Sequence, residues 1–512
     1  MTATAEREFE LKLALGRTEQ QALARHVKAL GLAAAGPKRQ HLVSTYFDTP
    51  GRSLFDAGMT LRLRRAGRKT IQTVKAGKPI RGGVSHPDEV ETPAPGNIPS
   101  LDTMPDGALR RRLGKLIDGQ EVGPVFLTDV RRQTWQFSAG DFAAELALDS
   151  GQVVSDGASV PISEVELELK KGDIDSFLAL SEQIFSDVPL QFSRVSKSHR
   201  GFLAIGAVNA PPVLPLKSPD VRFSKADSVA TVFAMLFASA SAQVLENWQG
   251  VTEDDDPAYA HQMRIGIRRL RTMIKLVKGR VEGEALGQLN GELRALGQLV
   301  GELRNSDVII DDVVRPAMEH ARQVGDFRAL TRALEAHREA VRARVRAELV
   351  DRKYNRLRLQ LALLPHGAGW RAALRKDDEI EGFARKALEK LWTQVSRQGA
   401  DLAKLSVEER HAMRKDLKKL RYALESFAPI LPRKPFRKWH SKLKALQDSF
   451  GYLNDVALAD TLPELTSGQG RGRQAAQAAV FVIGWHAARS ESAFTILQAH
   501  WNRLADQPRP WL

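Results

Sequence analysis

The chain has 512 residues; at about 150 residues per domain it divides into two to four. Hydrophobic residues make up 43% and charged residues 27%, enough apolar material for sizeable cores and too much for a disordered chain. Cysteine is absent, which excludes a disulfide framework, a thiolate-held zinc or iron–sulfur centre, and thiol catalysis. The net charge of +15 and a pI near 9.9 point to an anionic partner: nucleic acid, phosphate-rich small molecules or a membrane surface. Aromatics at 6% argue against base stacking as the main binding mode.

The N-terminal MTATAEREFELKLAL carries acids where a signal peptide is basic, and no apolar run follows. The apolar stretch around 475–488 is interrupted by Gln477 and His486 and is too short to span a bilayer. A cytoplasmic protein with no membrane partner is expected.

Up to about residue 206, short runs alternate apolar and charged residues between Gly, Pro and Asp, the pattern of strands. Glu8, Glu10 and Lys12 alternate with Phe9, Leu11 and Leu13, so a strand places the charges on one face and the apolar residues on the other. The same holds for Arg62 and Arg64 beside Leu61 and Leu63, and for Glu89 and Glu91 around Val90. Glu145 and Asp149 share a face, as do Glu164, Glu166, Glu168 and Lys170. A single strand of this kind is an ordinary half-solvated strand. Five of them, with almost wholly ionisable faces, suit a closed barrel whose charges line the interior. Such a lumen needs water, metal and a charged ligand, because unmatched buried ions are costly. Carboxylates at spacing two suit Mg²⁺ or Mn²⁺, and clustered Arg and Lys suit polyphosphate oxygens. The Gly77–Lys78 pair is no P-loop, since Pro79 stands where a metal-binding hydroxyl belongs.

Glu8-x-Glu10-x-Lys12 resembles the ExExK signature of the CYTH domain, the triphosphate tunnel metalloenzymes. The resemblance continues through Tyr46–Pro50 (YFDTP), Leu61–Arg64 (LRLR), Lys75, Glu89 and Glu91, Arg132 (with Arg131 competing), Glu164–Asp173 and Lys197. It implies an eight-stranded antiparallel β tunnel with flanking helices and a divalent-cation-dependent triphosphate site. By that resemblance Glu8, Glu10, Glu166 and Glu168 hold metal, Mg²⁺ or Mn²⁺. Arg62, Arg64, Lys75, Arg132 and Lys197 hold phosphates together with Lys12. Lys12, Glu145 and Asp149 make up the catalytic set, the two acids as further ligands or water-positioning groups. Asp149 and Glu164 also suit an exposed strand end.

Residues 207–220 (AVNAPPVLPLKSPD) hold four prolines without helical periodicity and read as an extended linker. Beyond it the chain reads as long helices rich in Ala, Leu, Arg, Glu and Gln, with a glycine-rich loop at Ser467–Arg473 separating two late helices. His261–Arg271 and His411–Arg421 align at an offset of 150, and Gly301 and Leu303 meet Gly451 and Leu453 at the same offset. This is a duplicated unit of about four helices. His261, Arg264, Arg268, Arg271, Lys275 and Lys278 share one helical face beside an apolar one, and His411, Arg414, Lys418 and Arg421 repeat the pattern. Exposed helices usually mix signs; these stripes lack acids. The duplicated His-x-x-Arg pattern resembles the CHAD domain, which is associated with inorganic polyphosphate. By that resemblance the nine stripe residues from His261 to Lys275 and from His411 to Arg421 bind polyphosphate.

The expected architecture is therefore α+β and multidomain. Residues 1–206 form the tunnel, 207–223 the linker, and 224–508 an all-α duplicated four-helix bundle, with repeats at about 224–373 and 374–508. The expected function is metal-dependent hydrolysis of inorganic triphosphate with polyphosphate binding by the helices. The alternatives are a non-catalytic polyphosphate-binding protein, which the intact carboxylate set disfavours, and a tunnel enzyme acting on ATP or thiamine triphosphate. Nucleic-acid binding is disfavoured by the few aromatics and by the lack of any recognition motif.

Overall fold

A computed structural model describes residues 6–512 except 68, 78–79, 95, 156–157, 207–213, 282–283, 322–326, 375–378 and 467–471. The first part of the proline-rich linker and most of the Ser467–Arg473 loop thus lie outside the described residues. The chain divides into two compact units: Met1–Leu214 with Val350–Ala368, and Pro215–Leu349 with Gly369–Leu512.

Unit 1 is built on one antiparallel sheet: β1 (Glu6–Arg7), β2 (Phe9–Ala14), β3 (Ala35–Asp48), β4 (Met59–Ala66), β5 (Lys69–Ala76), β6 (Val84–Ser85), β7 (Asp88–Pro93), β8 (Gly123–Ala139), β9 (Phe142–Ser155) and β10 (Ala158–Lys171). The order is β1-β7-β5-β4-β3-β8-β9-β10-β2-β6. Among the described residues the sheet has ten strands, where eight were expected. Glu8 interrupts the first strand between β1 and β2, and β6 adds a two-residue pairing with β2 at Glu10 and Leu11. The interruption closes the sheet. β1 pairs with β7 and β2 with β10, so the two ends of the order meet at Glu8, whose N–H donates to the Pro87 carbonyl at 3.3 Å.

The apolar strand faces point outward under helices. Leu61, Leu63, Val74 and Val90 pack with Leu109 and Leu113 of the helix Ala108–Ile117. At one end the lumen is filled by Tyr46, Phe126, Val130, Val153, Ile162 and Phe202, the last from the helix Lys197–Ala204. Gly201 seats this helix, since a Cβ there would lie 2.0 Å from the Phe126 ring. Exposure then rises along β10, from 2% at Glu164 through 13% at Glu166 and 19% at Glu168 to 45% at Lys170. The lumen is sealed at the Glu164 end and opens towards Lys170.

Residues 350–368, read from sequence as part of the first helical repeat, pack in unit 1. The helix Asn355–Leu363 lies on the helix Ile174–Ile184, with Leu357, Leu359, Leu361 and Leu363 buried. Asn355 donates from Nδ2 to the carbonyls of Phe185 (2.8 Å) and Val188 (2.7 Å). Asn355→Leu orphans both buried carbonyls, at about 1–3 kcal/mol each. It is expected to lower amide-exchange protection in β2 and β10 of the full chain while leaving the helix Pro257–Val277 unchanged. The reverse pattern would place this helix in the energetics of unit 2.

In unit 2 the helix Val229–Glu253 packs on Pro257–Val277, which packs on Ala285–Val308. Likewise Ile380–Gly399 packs on Val407–Ser426, and that on Arg433–Ala459. The two motif-bearing helices, Pro257–Val277 and Val407–Ser426, also pack on each other. Among the described residues one helix, Val229–Glu253, is long and apolar enough to cross a membrane, and 67% of its most apolar window is buried within the protein.

Candidate functional site

Strand register builds the lumen in rows. Glu10, Glu168, Glu145 and Gln136 are successive partners across β2, β10, β9 and β8. The next inward row holds Lys12 and Glu166, and the one below it Glu164, Asp149 and Arg132. On the other wall Tyr46 faces Arg62, Arg62 faces Thr73, and Lys75 faces Glu89.

The deepest row is charge-matched. Asp149 is fully buried and takes a two-pronged bond from Arg132, Nε to Oδ1 at 2.7 Å and Nη2 to Oδ2 at 2.6 Å. Arg132 Nη2 also donates to Glu166 Oε2 at 2.7 Å. Lys197 reaches in from its helix to Asp149 (2.7 Å), Glu166 (3.0 Å) and Glu164, and Lys12 bonds Glu166 at 2.5 Å. Burial pushes Asp149 and Glu166 up, but Lys197, Arg132 and, for Glu166, Lys12 outweigh it and hold both below the usual carboxylate range. Burial likewise pushes Lys12 and Lys197 down, and the carboxylates around them reverse the sign.

The outer row differs. Burial pushes the Glu168 carboxyl up and Glu8 and Glu10 add to that, although Lys170, 2.5 Å away, pulls it down. Lys75 bridges Glu8 (2.6 Å) and Glu89 (3.0 Å). Burial raises Glu8, yet a hydrogen bond with Glu89 and the Lys75 charge bring it to about 2. Glu89 is raised to about 8 by burial and by that same bond. Glu145 bonds Gln136. Arg62 lies 3.9 and 3.8 Å from Glu89 and Glu91. Arg64 donates from Nε to Ser44 Oγ at 3.3 Å; burial, then Arg62 and Arg132, push it down to about 10.

The twelve lumen residues singled out from sequence thus sit on the strands of this closed sheet, between β1 and β2 (Glu8) or on the helix that plugs it (Lys197), and Arg131 is exposed where Arg132 is inward. Glu164, which alternation allowed at a strand end, is buried. Two contributors carried no sequence signal of their own. Gln20 donates from Nε2 to the carbonyls of both Asp149 and Glu164 at 3.1 Å, holding the deepest row in place. Arg200, one helical turn past Lys197, approaches Glu164 at 3.5 Å. Asp48 of the YFDTP segment accepts from the N–H groups of Thr49, Leu54 and Phe55; it shapes a turn.

Among the described residues one group of carboxylates converges closely enough to take a cation as it stands. The oxygens of Asp149, Glu164 and Glu166 approach within 4.8 Å of one another, but these acids already pair with Lys12, Arg132 and Lys197. A cation there would have to displace an ammonium or guanidinium. The outer carboxylates Glu8, Glu10 and Glu168 each have a single lysine beside them, Lys75 (2.6 Å), Lys12 (3.0 Å) and Lys170 (2.5 Å) respectively, whereas each acid of the deep rows meets at least two cations. Glu8 and Glu10 also raise Glu168, so negative charge is less compensated in the outer row, and its hard oxygen donors suit a divalent ion.

In unit 2 the two basic stripes converge. Arg264 Nη1 donates to the Gly301 carbonyl at 2.8 Å and to Asn305 Oδ1 at 3.4 Å, and Arg414 Nη1 to Asn454 Oδ1 at 3.3 Å. Arg271 bonds Asn290 at 3.2 Å. Burial pushes Lys418 down, and Arg268, Arg414, Arg264 and Arg421 push further, to about 6. His261 is lowered to about 4 by burial and by Arg304, Arg264, Arg268 and Arg421, and His411 by burial and by Lys415 and Arg414. Lys275 is lowered by burial, then by Lys419 and Arg271. Cations of one repeat therefore act on those of the other. The site is one electropositive cluster that includes Arg304, which sequence periodicity did not select.

The CYTH domain model matches residues 6–202 and the CHAD domain model residues 236–463. An inorganic triphosphatase of Haemophilus influenzae is 30% identical over 172 residues, covering 32% of this chain and 45% of that protein, so less than half of the relative is matched. The crystal structure of the CHAD domain from the plant Ricinus communis superposes with a TM-score of 0.51 at 24% identity, covering 58% of this chain and 98% of that one. With the closed, charge-lined sheet and the duplicated basic helices, these matches establish that the chain is a CYTH domain and a CHAD domain in one polypeptide.

Proposed function

We propose that the CYTH domain hydrolyses inorganic triphosphate with the help of Mg²⁺ or Mn²⁺, and that the CHAD domain binds inorganic polyphosphate. The observation that carries the first part is the division of the lumen into deep rows whose acids each meet two or more cations and an outer row where Glu8, Glu10 and Glu168 each meet a single lysine, faced by Arg62 and Arg64. Glu8, Glu10 and Glu168, with Glu166 beneath them, would hold the cation, which when bound neutralises phosphate charge and polarises water. Arg62, Arg64, Lys75 and Arg132 bind the phosphoryl oxygens and stabilise the charge that develops on them. Lys12 and Lys197 keep Glu166 ionised, and Glu145 in the outer row and Asp149 in the deepest complete the catalytic set. Water attacks the terminal phosphorus, the bridging P–O bond breaks, and diphosphate and phosphate leave. The aromatic rings bordering this space support an inorganic substrate: Tyr46 and Phe126 stack on each other at 4.7 Å within the plug, leaving neither ring to a nucleobase.

The test is phosphate release from triphosphate, ATP, thiamine triphosphate and long polyphosphate with Mg²⁺, Mn²⁺ or EDTA. Triphosphate is expected to turn over fastest and EDTA to stop it; turnover that survives excess EDTA overturns the metal dependence. Arg62→Ala or Arg64→Ala removes a charge-assisted contact of about 1.5–3 kcal/mol, an expected loss of roughly tenfold to a hundredfold in kcat/KM. Unchanged kinetics would mean that neither side chain meets the substrate.

A further inference from the structure

The first helices of the two repeats have corresponding buried faces, Val229 with Ile380, Val232 with Phe383, Phe237 with Leu388 and Val244 with Val395. The correspondence runs one residue out of step with the offset that relates the basic helices. It sets Ser239, Gln243 and Asn247 of the first helix against Lys390, Gln394 and Gln398 of the second. In the first repeat this stripe holds an irregular segment of the chain itself. Asn247 Oδ1 accepts the Leu216 N–H at 3.1 Å, its Nδ2 donates to the Leu216 carbonyl at 2.9 Å, and Ser239 Oγ donates to the Pro219 carbonyl at 2.9 Å.

In the second repeat the stripe borders an open groove of about 880 Å³ lined by Arg385, Lys386, Lys390, Thr393, Arg397 and Gln398, among others. The chemistry has changed from small and amide residues to cations. Among the described residues none of Arg385, Lys386, Lys390 and Arg397 has an ion-pair partner. The nearby acids are engaged: Glu389 by Arg509 and the Trp511 indole, and Asp416 by Gln394, Gln398 and Lys419. Because Gln398 gives its Nε2 to Asp416 (3.1 Å), its orientation is set, and its buried Oε1 has no partner. The corresponding oxygen of Asn247 accepts a peptide N–H. A phosphate chain has only acceptors and could not pair with Gln398 Oε1 even after a side-chain turn that brings this buried atom to the groove; a peptide N–H could.

We propose that this groove docks an extended acidic peptide segment of a partner protein, main chain on Gln398 and carboxylates on Lys386, Lys390 and Arg397, in the way the first repeat holds its own Leu216–Pro219. The probe is a fluorescein-labelled peptide of the chain's own residues 214–221 carrying Lys217→Glu and Val221→Glu, titrated with the full chain at low ionic strength. Binding is expected, weakened about tenfold in the chain variant Lys386→Glu with Lys390→Glu, as attraction becomes repulsion. The same peptide N-methylated at the Leu216 position loses one donor and is expected to bind the unaltered chain roughly two- to tenfold more weakly. Absence of binding, or indifference to the charge reversal or to the N-methyl group, overturns the proposal. So does a double variant that loses affinity for long polyphosphate while holding the peptide unchanged, which would make the groove a phosphate track.

Discussion

Glu8→Gln and Glu168→Gln are each expected to lower triphosphate turnover by more than the roughly 10–100-fold typical of losing a group that merely supports a metal ligand. Neutral amides bind hard divalent ions poorly, and each of these two carboxylates has a single lysine beside it, Lys75 for Glu8 and Lys170 for Glu168. Glu168 is raised by burial and by Glu8 and Glu10, so replacing its carboxylate relieves repulsion in the ion-free protein. The fold should survive in both: Glu168→Gln should unfold at or above the parent's temperature, and Glu8→Gln, which takes away a carboxylate that Lys75 and Glu89 hold at about 2, somewhat below it. The same cannot be said of Asp149, whose removal would leave Arg132 and Lys197 buried without their carboxylate. The checks are a metal titration of turnover, which should shift to higher Mg²⁺ or Mn²⁺ in both variants, and an unfolding curve on the same preparations. Unshifted metal dependence would remove these residues from the cation site.

Arg264→Glu combined with Arg414→Glu is expected to abolish binding of long polyphosphate while hydrolysis of triphosphate stays nearly constant. The two arginines hold equivalent places, each bonded to an asparagine of the neighbouring helix, and both repeats' cations meet in one cluster. Reversal at both places therefore acts on a single site. Parent affinity should fall with salt at a log–log slope of about −0.7 per neutralised phosphate, taking the single-strand value, and the variant should lose most of that slope. Lys418 adds a pH signature. Its ammonium is held down to about 6 in the free protein, so near neutral pH a bound polyanion draws a proton onto it, and affinity should rise as the pH falls from about 8 towards 6. Lys418→Arg, permanently charged, should flatten that dependence. Polyphosphate affinity unchanged by the double reversal would mark the stripes as ordinary solvated faces.

Much of the site was legible because side chains alternate along a strand and recur every three or four residues along a helix. Period two put Glu164, Glu166, Glu168 and Lys170 on one face, and steps of three and four put His261, Arg264, Arg268 and Arg271 on another. These are local facts of backbone geometry, and residue types alone suffice to state them. Which of the two faces is inside, and how deep, is not local. The descent from Lys170 to buried Glu164 follows from the helix Lys197–Ala204 plugging one end of the sheet, a contact between residues far apart in the chain. The hold of Gln20 on the Asp149 and Glu164 carbonyls arises in the same way, and so does the docking of 350–368 on unit 1.

The repeats divide along the same line. The offset of 150 between the basic helices was plain in the sequence, whereas their meeting in one cluster required the packing of Pro257–Val277 on Val407–Ser426. The sequence by itself determined the charged faces, the missing cysteine chemistry and the duplication. Tertiary structure alone decided which carboxylates meet several lysines and arginines and which meet only one. The reason is physical: the cost of a buried charge depends on its neighbours within a few ångströms, and those neighbours come from β2, β8, β9, β10 and a helix that only folding brings together.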